Sequence, residues 1–141
     1  TLFPCYLPDF DEDGYSIFTS TEISPQPYKG NTGYLKKLSR SMGLASEKDS
    51  GVIIDSIAIQ FVVLKSGMLS RLKSLSPEKV YRKDILIAIK KNACIWLPAI
   101  QGGRPVLSWV KMKIFYKTDP KGEIQSLDRI EFPHNIRAFK N

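Results

Sequence analysis

The chain has 141 residues, of which 43% are hydrophobic and 25% charged, and its formal net charge is +7. These values are typical of one globular domain that is long enough to bury a core. No apolar run approaches the roughly 18 residues of a membrane span. The first residues lack the pattern of a signal peptide, so we expect a cytosolic protein. Because the chain opens at Thr1 rather than at Met, we also expect a trimmed start.

The two cysteines, Cys5 and Cys94, are far apart in the sequence. Without a secretory signal or another cysteine pair, they predict reduced thiols rather than a disulfide. Cys94 lies in an apolar stretch, which is typical of a small buried side chain.

The charge is unevenly distributed along the chain. Residues 1–28 carry five acidic side chains and no basic ones, whereas residues 29–141 carry all 21 lysines and arginines against nine acids. A body this basic attracts polyanions such as nucleic acid or the anionic face of a membrane. We therefore divide the chain into an acidic arm, residues 1–33, and a basic globular domain, residues 34–141.

The arm, rich in proline and aromatic residues, predicts irregular structure. Its prolines, from Pro4 to Pro27, exclude a helix, and Gly30 and Gly33 end it with turn chemistry. Its six aromatic side chains are too many for a free tail. We expect parts of the arm to pack either on this domain or on a neighbouring copy.

Three segments of the basic domain predict helices. Residues 34–44 have apolar side chains at helical spacing, with Gly43 suited to end the helix. Residues 68–75 show the same spacing and predict one short helix. A third helix is predicted over 76–91, because Ser76 begins a typical helix start and two lysines close it at the negative end of the dipole.

The remaining segments predict strands. Residues 52–65 are rich in β-branched side chains and predict a central strand. Residues 106–117 alternate between apolar side chains and lysines, and Asp119–Gly122 is a strong turn before a returning strand over 123–132. A shorter strand is predicted over 93–100. Together the elements predict an α+β fold, in which an antiparallel sheet packs against two or three short helices, with an irregular N-terminal arm.

The sequence contains no recognisable catalytic or metal-binding constellation. The single histidine, His134, lacks the further ligands of a zinc site and any Gly-x-Ser-x-Gly nucleophile turn. Asp9, Asp11 and Asp13 alternate as in a calcium loop, but the twelfth position is Ser20 rather than a bidentate glutamate. We therefore predict a non-enzymatic protein without a cofactor, a metal or a small-molecule substrate.

Basic side chains form three groups that are candidates for binding an anionic membrane surface or RNA. The first lies on the helix over 34–44 and its flanks, the second between residues 65 and 83, and the third along the strand over 106–117. Solvated helix faces and lysines that protect a sheet edge are the alternative interpretation. The candidate residues are Lys29, Lys36, Lys37, Arg40, Lys48, Arg71, Lys73, Arg82, Lys83, Lys111, Lys113 and Lys117, with Lys65 and Lys79 as further members of the second group.

The aromatic residues of the arm are candidates for self-association. An acidic and apolar arm that docks on the basic body of the next copy makes a head-to-tail contact, which builds open oligomers. Trp96 and Trp109 lie in apolar runs instead and are predicted to belong to the core. The self-association candidates are Phe3, Tyr6, Phe10, Tyr15, Phe18 and Tyr28.

The order of elements in the second half of the chain carries a family resemblance. A hydrophobic strand precedes a basic loop, and Tyr81 with Asp84 opens an apolar helix. Trp96 lies in the strand that follows, and Gly102–Pro105 forms a Gly-x-Arg-Pro-like turn before another apolar strand. This order, above all over residues 80–114, resembles the matrix proteins of nonsegmented negative-strand RNA viruses, and those of rhabdoviruses most closely.

The resemblance implies a structural protein of the virion. Such proteins bind the anionic inner face of the membrane, contact the viral ribonucleoprotein or RNA, and self-associate to drive assembly and budding. The expected location is the virion and the host cytoplasm or the inner face of the host membrane. The arm carries Pro25-Gln26-Pro27-Tyr28 where family members often have Pro-Pro-x-Tyr, so it lacks that budding motif.

Two alternatives share the same basic character. A basic RNA-binding accessory domain needs the same cationic surface, so charge does not separate it from a matrix protein. A protein-interaction domain whose basic surface meets an acidic partner is the third possibility.

Overall fold

The computed structural model of the chain describes residues 3–9, 16–44, 53–77 and 82–133. Over these ranges the chain has an α+β fold, a curled and mostly antiparallel sheet packed against two helices, so the predicted fold class is confirmed. The elements are β1 (Tyr6–Leu7), β2 (Gln26–Pro27), α1 (Gly30–Ser41), β3 (Ile53–Val63), β4 (Leu69–Ser74), α2 (Lys83–Lys91), β5 (Trp96–Leu97), β6 (Ala99–Gln101), β7 (Arg104–Val106), β8 (Ser108–Thr118) and β9 (Ile124–Glu131).

The main sheet has the strand order β1-β4-β3-β8-β9, and only β1 and β4 are parallel. The long strands β3 and β8 form its centre and pair in one continuous register. The central strand predicted over 52–65 is therefore confirmed. The predicted hairpin after β8 is also confirmed, since the Gly122 N–H donates to the Asp119 carbonyl in the turn that leads into β9.

Both helices contribute to one hydrophobic core on a single face of the main sheet. Alternate residues of β8, from Val110 to Tyr116, point into this core. Tyr34 and Leu38 of α1 reach it with no exposed area. Burial also raises the pKa of the Tyr34 phenol. Because the helices cover this face, the lysines of β8 lie on the opposite face.

The two tryptophans are buried, as predicted. Trp96 is 3% exposed and packs edge-on against the rings of Tyr34 and Phe61 in the main core. Trp109 is 6% exposed and belongs to a smaller cluster with Leu107, against which Ile17 of the arm packs.

Helix α1 begins at Gly30, four residues before the predicted start. The predicted border between arm and domain therefore lies inside this helix. The predicted stop at Gly43 is confirmed: Gly43 has φ +68°, its N–H donates to the Arg40 carbonyl, and the Leu44 N–H donates to the Ser39 carbonyl. These two bonds satisfy carbonyls that the end of a helix leaves unpaired.

The helix predicted over 68–75 is wrong, because this segment contains β4. A tight turn precedes it, in which the Gly67 N–H donates to the Leu64 carbonyl and the Leu64 N–H to the Met68 carbonyl. The turn brings the segment alongside β3, where backbone pairing outweighs the helical spacing of its leucines. A register shift opposite residues 60–62 accommodates Arg71, which has φ 52°.

Replacing Gly67 by alanine is expected to lower the free energy of unfolding by about 2–4 kcal/mol. Gly67 has φ +88°, and a Cβ atom at this position overlaps the backbone carbonyl of Trp96. Urea denaturation measures the loss. Gly122→Ala is the matched control, because Gly122 has φ +87° but open space around it, so it should lose only about 1 kcal/mol. If the two variants lose the same free energy of unfolding, the overlap of the Cβ atom with the Trp96 carbonyl does not destabilise the fold.

Helix α2 ends at Lys91 as predicted but begins at Lys83 rather than near Ser76. The Ser76 hydroxyl accepts a hydrogen bond from the Ala58 N–H at 2.8 Å, so it binds the backbone of β3 instead of capping a helix. The acidic residue in the first turn of α2 is Asp84. Residues 78–81 lie outside the described residues.

The described parts of the arm pack on this domain, which was one of the two expected outcomes. Tyr6 is 8% exposed, and its hydroxyl accepts a hydrogen bond from the Leu72 N–H at 2.9 Å. Burial raises the pKa of the Tyr6 phenol. Pro27 is buried in the short ladder of β2 with β5. The arm thus contributes to the core and to one edge of the main sheet.

The prediction of two reduced thiols is wrong, since Cys5 and Cys94 form a disulfide with their Cα atoms 5.0 Å apart. Cys94 is exposed rather than buried. The Cys5 carbonyl accepts a hydrogen bond from the Leu69 N–H, which fixes Cys5 beside β4. The two cysteines meet only because the arm folds onto the β4 edge of the sheet. Their spacing in the sequence therefore did not indicate the disulfide.

Candidate polyanion-binding surfaces

The face of the main sheet opposite the helices carries the predicted lysine row of β8. Lys111, Lys113 and Lys117 alternate with buried residues of the core, as predicted. Phe115 lies between Lys113 and Lys117 on the same face. Residues two apart on one strand are about 6.8 Å apart, so the row spans about 20 Å along the sheet.

Neighbouring strands extend this row sideways. Lys73 of β4 and Lys111 both pair with Gln60 of β3, which places all three side chains on one face. Arg129 of β9 pairs with Phe115. We call the resulting set the basic sheet face; Lys73 and Arg129 are exposed and its other members half-buried. Its members are Lys73, Lys111, Lys113, Lys117 and Arg129.

Arg129 is held in place at the edge of this face. Its guanidinium carbon lies 3.7 Å from the centre of the Phe115 ring, and the Lys113 Nζ lies 5.1 Å from it. The guanidinium also donates to Glu131 at 3.1 Å and to Asp128 at 2.9 Å. These hydrogen bonds, that to Glu131 above all, raise the pKa of Arg129. The two carboxylates reduce the local charge without removing the cation.

The first predicted basic group lies on the other side of the fold. Lys29, Lys36 and Arg40 are exposed, while Lys37 is half-buried. Lys29, Lys36 and Arg40 are seven and four residues apart, so they form one stripe along α1, which we call the α1 stripe. The apolar side of α1 packs on its own core through Tyr34 and Leu38, so this helix does not offer it to a lipid layer.

The second predicted group does not form one surface. Arg71 pairs with Asp9 of the arm at 3.4 Å, and Lys73 belongs to the basic sheet face. Arg82 pairs with Asp84 at 3.1 Å and donates to the Gly122 carbonyl. The irregular backbone of β4 at Arg71 and the position of Arg82 at the start of α2 separate these sequence neighbours. Of the others, Lys65 lies in the turn after β3, Lys83 begins α2, and Lys48 and Lys79 lie outside the described residues.

The arm aromatics are divided between core and surface. Tyr6 is in the core, Phe3 packs against it, and Phe18 forms a bridge with Ser108 at the start of β8. Tyr28 is 60% exposed. Phe10 and Tyr15 lie outside the described residues.

Two features of the surface were missed by sequence reasoning. Arg129 was not among the candidate residues. The signal that could have indicated it is the alternation of side chains along the strand predicted to return beside the lysine row. Tyr28 is 60% exposed and Leu97 39%, and the register of their two segments makes them diagonal neighbours on one side of the ladder. We call Tyr28 and Leu97 the Tyr28 patch. No pattern in the sequence indicated that these residues meet.

The described residues contain no group of three or more histidine, cysteine or acidic side chains suited to a metal. A cleft of about 680 Å³ lies between residues 19–26 and the start of β8, and its described lining includes neither histidine nor cysteine. His134 and most of the acidic residues of the arm lie outside the described residues. Neither described helix has the length and apolar content needed to cross a bilayer.

No family model matches the chain, and no curated protein or solved structure matches it significantly.

Proposed function

We propose that this chain is a non-enzymatic structural protein of the viral matrix type. In this role it binds the anionic inner face of the membrane, contacts the viral ribonucleoprotein and self-associates during assembly and budding, in the virion and at the inner face of the host membrane. One observation supports this proposal most: cations lie on both outer layers of the fold, the basic sheet face on one side and the α1 stripe on the other.

A protein with cations on two opposite layers is suited to join two polyanions. A membrane is flat over the dimensions of this domain, so it meets only one layer at a time. The helix layer and the sheet layer are about 10 Å apart between their backbones, and the charged groups on their outer sides are further apart. A second polyanion therefore has its own surface to bind.

The basic sheet face has the features expected of an RNA contact. Its lysines repeat along β8 at a regular spacing, and phosphate contacts from such a row need no sequence-specific geometry. Arg129 presents a guanidinium held by Phe115, and guanidinium planes can stack on unpaired bases. This feature also favours the second candidate function, an RNA-binding accessory protein that does not bind lipid.

Self-association remains part of the proposal. The ion pair between Asp9 and Arg71 is the kind of contact expected between an acidic arm and a basic body, and here it is made within one chain. Deletion of residues 1–28 is a poor test, because it removes Tyr6 and Pro27 from the packed structure. Sedimentation equilibrium of the full chain over a range of concentrations is the better measurement.

A bridging assay tests the proposed function. The protein is mixed with phosphatidylserine-containing vesicles and labelled single-stranded RNA, and the RNA that sediments with the vesicles is measured. We expect sedimentation that needs both the protein and the anionic lipid. Lys36→Gln/Arg40→Gln should lose vesicle binding but keep RNA binding, and Lys73→Gln/Lys113→Gln should do the reverse.

Two outcomes contradict the bridging role. If RNA and vesicles compete for the protein, one surface serves both and the two-sided arrangement is wrong. If the protein binds RNA but no vesicles at any salt concentration, the accessory RNA-binding function replaces the matrix function.

A further inference from the structure

Two hydrophobic side chains, those of Tyr28 and Leu97, are exposed close to the N-terminus of α1. Residues 23–28 run antiparallel to residues 95–100, as the pairs Ile23–Ile100, Gln26–Leu97 and Pro27–Trp96 establish. Tyr28 continues this register, because its N–H donates to the Ile95 carbonyl at 2.8 Å. Leu97 and Tyr28 therefore stand near each other on the outer side of the ladder.

A buried residue of the same ladder shows that this exposure is selective. Pro27 is buried and its partner Trp96 is 3% exposed, whereas Tyr28 is 60% exposed. The ladder thus turns one side towards the core and leaves the Tyr28 patch in solvent. Isolated exposed apolar residues are ordinary, but two neighbouring ones beside a row of cations indicate a contact surface.

The charge around the Tyr28 patch is positive. The Lys29 Nζ lies 5.0 Å from the centre of the Tyr28 ring, and Lys29 begins the α1 stripe. The stripe runs for about 17 Å along α1, away from the patch. Residues 16–44 contain four cations and a single acid, Glu22, whose carboxylate accepts a hydrogen bond from the Gly102 N–H.

We propose that the Tyr28 patch and the α1 stripe together form the contact with an anionic phospholipid bilayer, the patch entering the headgroup layer and the stripe lying on its surface. This inference rests on the proposed function and assigns the lipid contact to one side of the molecule. Tyrosine suits the headgroup layer, because its ring is apolar and its hydroxyl remains hydrated. Lysine and arginine beside it are attracted to the negative surface potential.

The apolar part of this contact predicts resistance to salt. The attraction of cations to phosphates and lipid headgroups weakens as counterions compete. The contribution of buried apolar side chains to binding does not weaken in this way. The basic sheet face binds RNA mainly through cations, so its binding should fall steeply with salt. The two surfaces can therefore be distinguished in the same protein.

The test uses vesicles of phosphatidylcholine with phosphatidylserine, against pure phosphatidylcholine, at low and high salt. Tyr28→Ser/Leu97→Ser should lower the partition coefficient at high salt by about tenfold and leave RNA affinity unchanged. Ile54→Ser is the matched control: Ile54 is 59% exposed but pairs with Lys117 on the opposite layer of the fold, and its replacement should leave vesicle binding at high salt unchanged. Unchanged thermal unfolding of each variant shows that the fold is retained.

The outcomes separate this inference from the proposed function. If the double variant binds vesicles as well as the wild type, or if Ile54→Ser loses as much, the Tyr28 patch is not the lipid contact, although the proposed function stands. If the wild type binds vesicles with the expected salt resistance but not RNA, the inference stands and the ribonucleoprotein contact fails. If the wild type binds no vesicles, the inference and the membrane part of the proposed function both fail.

Discussion

Replacing Cys5 and Cys94 by serine is expected to lower the free energy of unfolding by about 4–5 kcal/mol, a large part of the stability of a small domain. The disulfide joins residues 89 positions apart, so it removes much conformational freedom from the unfolded chain. The loss should be measured by urea denaturation of the oxidised wild type and the double variant.

In Cys5→Ser/Cys94→Ser, local opening of the structure should begin in the arm. Beyond the disulfide, residues 3–9 are held by the short pairing of β1 with β4, by the burial of Tyr6 with its hydrogen bond from the Leu72 N–H, and by the exposed ion pair of Asp9 with Arg71. Exposed ion pairs contribute little, so this edge should open before the rest of the sheet. Hydrogen exchange of the Leu72 amide should therefore accelerate in the variant more than that of amides in β3.

A dithiol reductant provides the control for this experiment. It should shift the unfolding midpoint of the wild type to that of Cys5→Ser/Cys94→Ser and leave the variant unchanged. If the reductant leaves the wild type unchanged, the disulfide does not stabilise the fold. Alkylation of thiols in the cell then shows in which compartment the bond forms, since the cytosol keeps most thiols reduced.

Replacing Lys73, Lys113 and Arg129 by glutamine should weaken binding of single-stranded RNA by about a hundredfold at low salt, and reduce the slope of log affinity against log salt by about 2. The three residues come from three strands and meet on the basic sheet face. Each cation that neutralises a phosphate releases a condensed counterion, so the change in slope reports how many phosphates the variant leaves unneutralised. Titration by fluorescence anisotropy at several salt concentrations measures both quantities.

A second triple variant tests whether RNA affinity depends on the basic sheet face or only on the net charge of the protein. Lys83, Lys91 and Lys121 are exposed and lie on α2 and in the turn before β9, away from the basic sheet face. Their replacement by glutamine changes the net charge by the same amount and should reduce RNA affinity far less. Equal losses in the two triple variants contradict a defined RNA-binding face. The cost to stability should be small, because the ion pairs of Arg129 are solvent-exposed.

Local patterns predicted most of the sheet and the C-terminal ends of both described helices. The alternation in residues 106–117 predicted both the core side and the lysine side of β8, because side chains of a strand point alternately to its two faces. Turn chemistry predicted the hairpin at Asp119–Gly122, and Gly43 predicted the end of α1, since few other residues adopt its positive φ. These features depend on neighbours in the chain, so a sequence is sufficient to indicate them.

The errors have a common origin in long-range contacts. The leucines of residues 69–75 have helical spacing, yet pairing with β3 makes β4 a strand. Ser76 has the chemistry of a helix cap, yet its hydroxyl is used by the backbone of β3. In both cases a hydrogen-bonding partner distant in the sequence outweighs the local preference.

For the candidate surfaces, the sequence by itself determined that the body is strongly basic, that β8 carries a lysine row on one face and that α1 has a basic side. Only the tertiary structure decided which of these cations share a surface. It separates the second basic group, adds Arg129 to the sheet face, and places the α1 stripe on the opposite layer. It also joins Cys5 to Cys94 and exposes the Tyr28 patch. The physical reason is that charge and periodicity are properties of neighbouring residues, whereas a shared surface depends on strand order and on which layer covers which face.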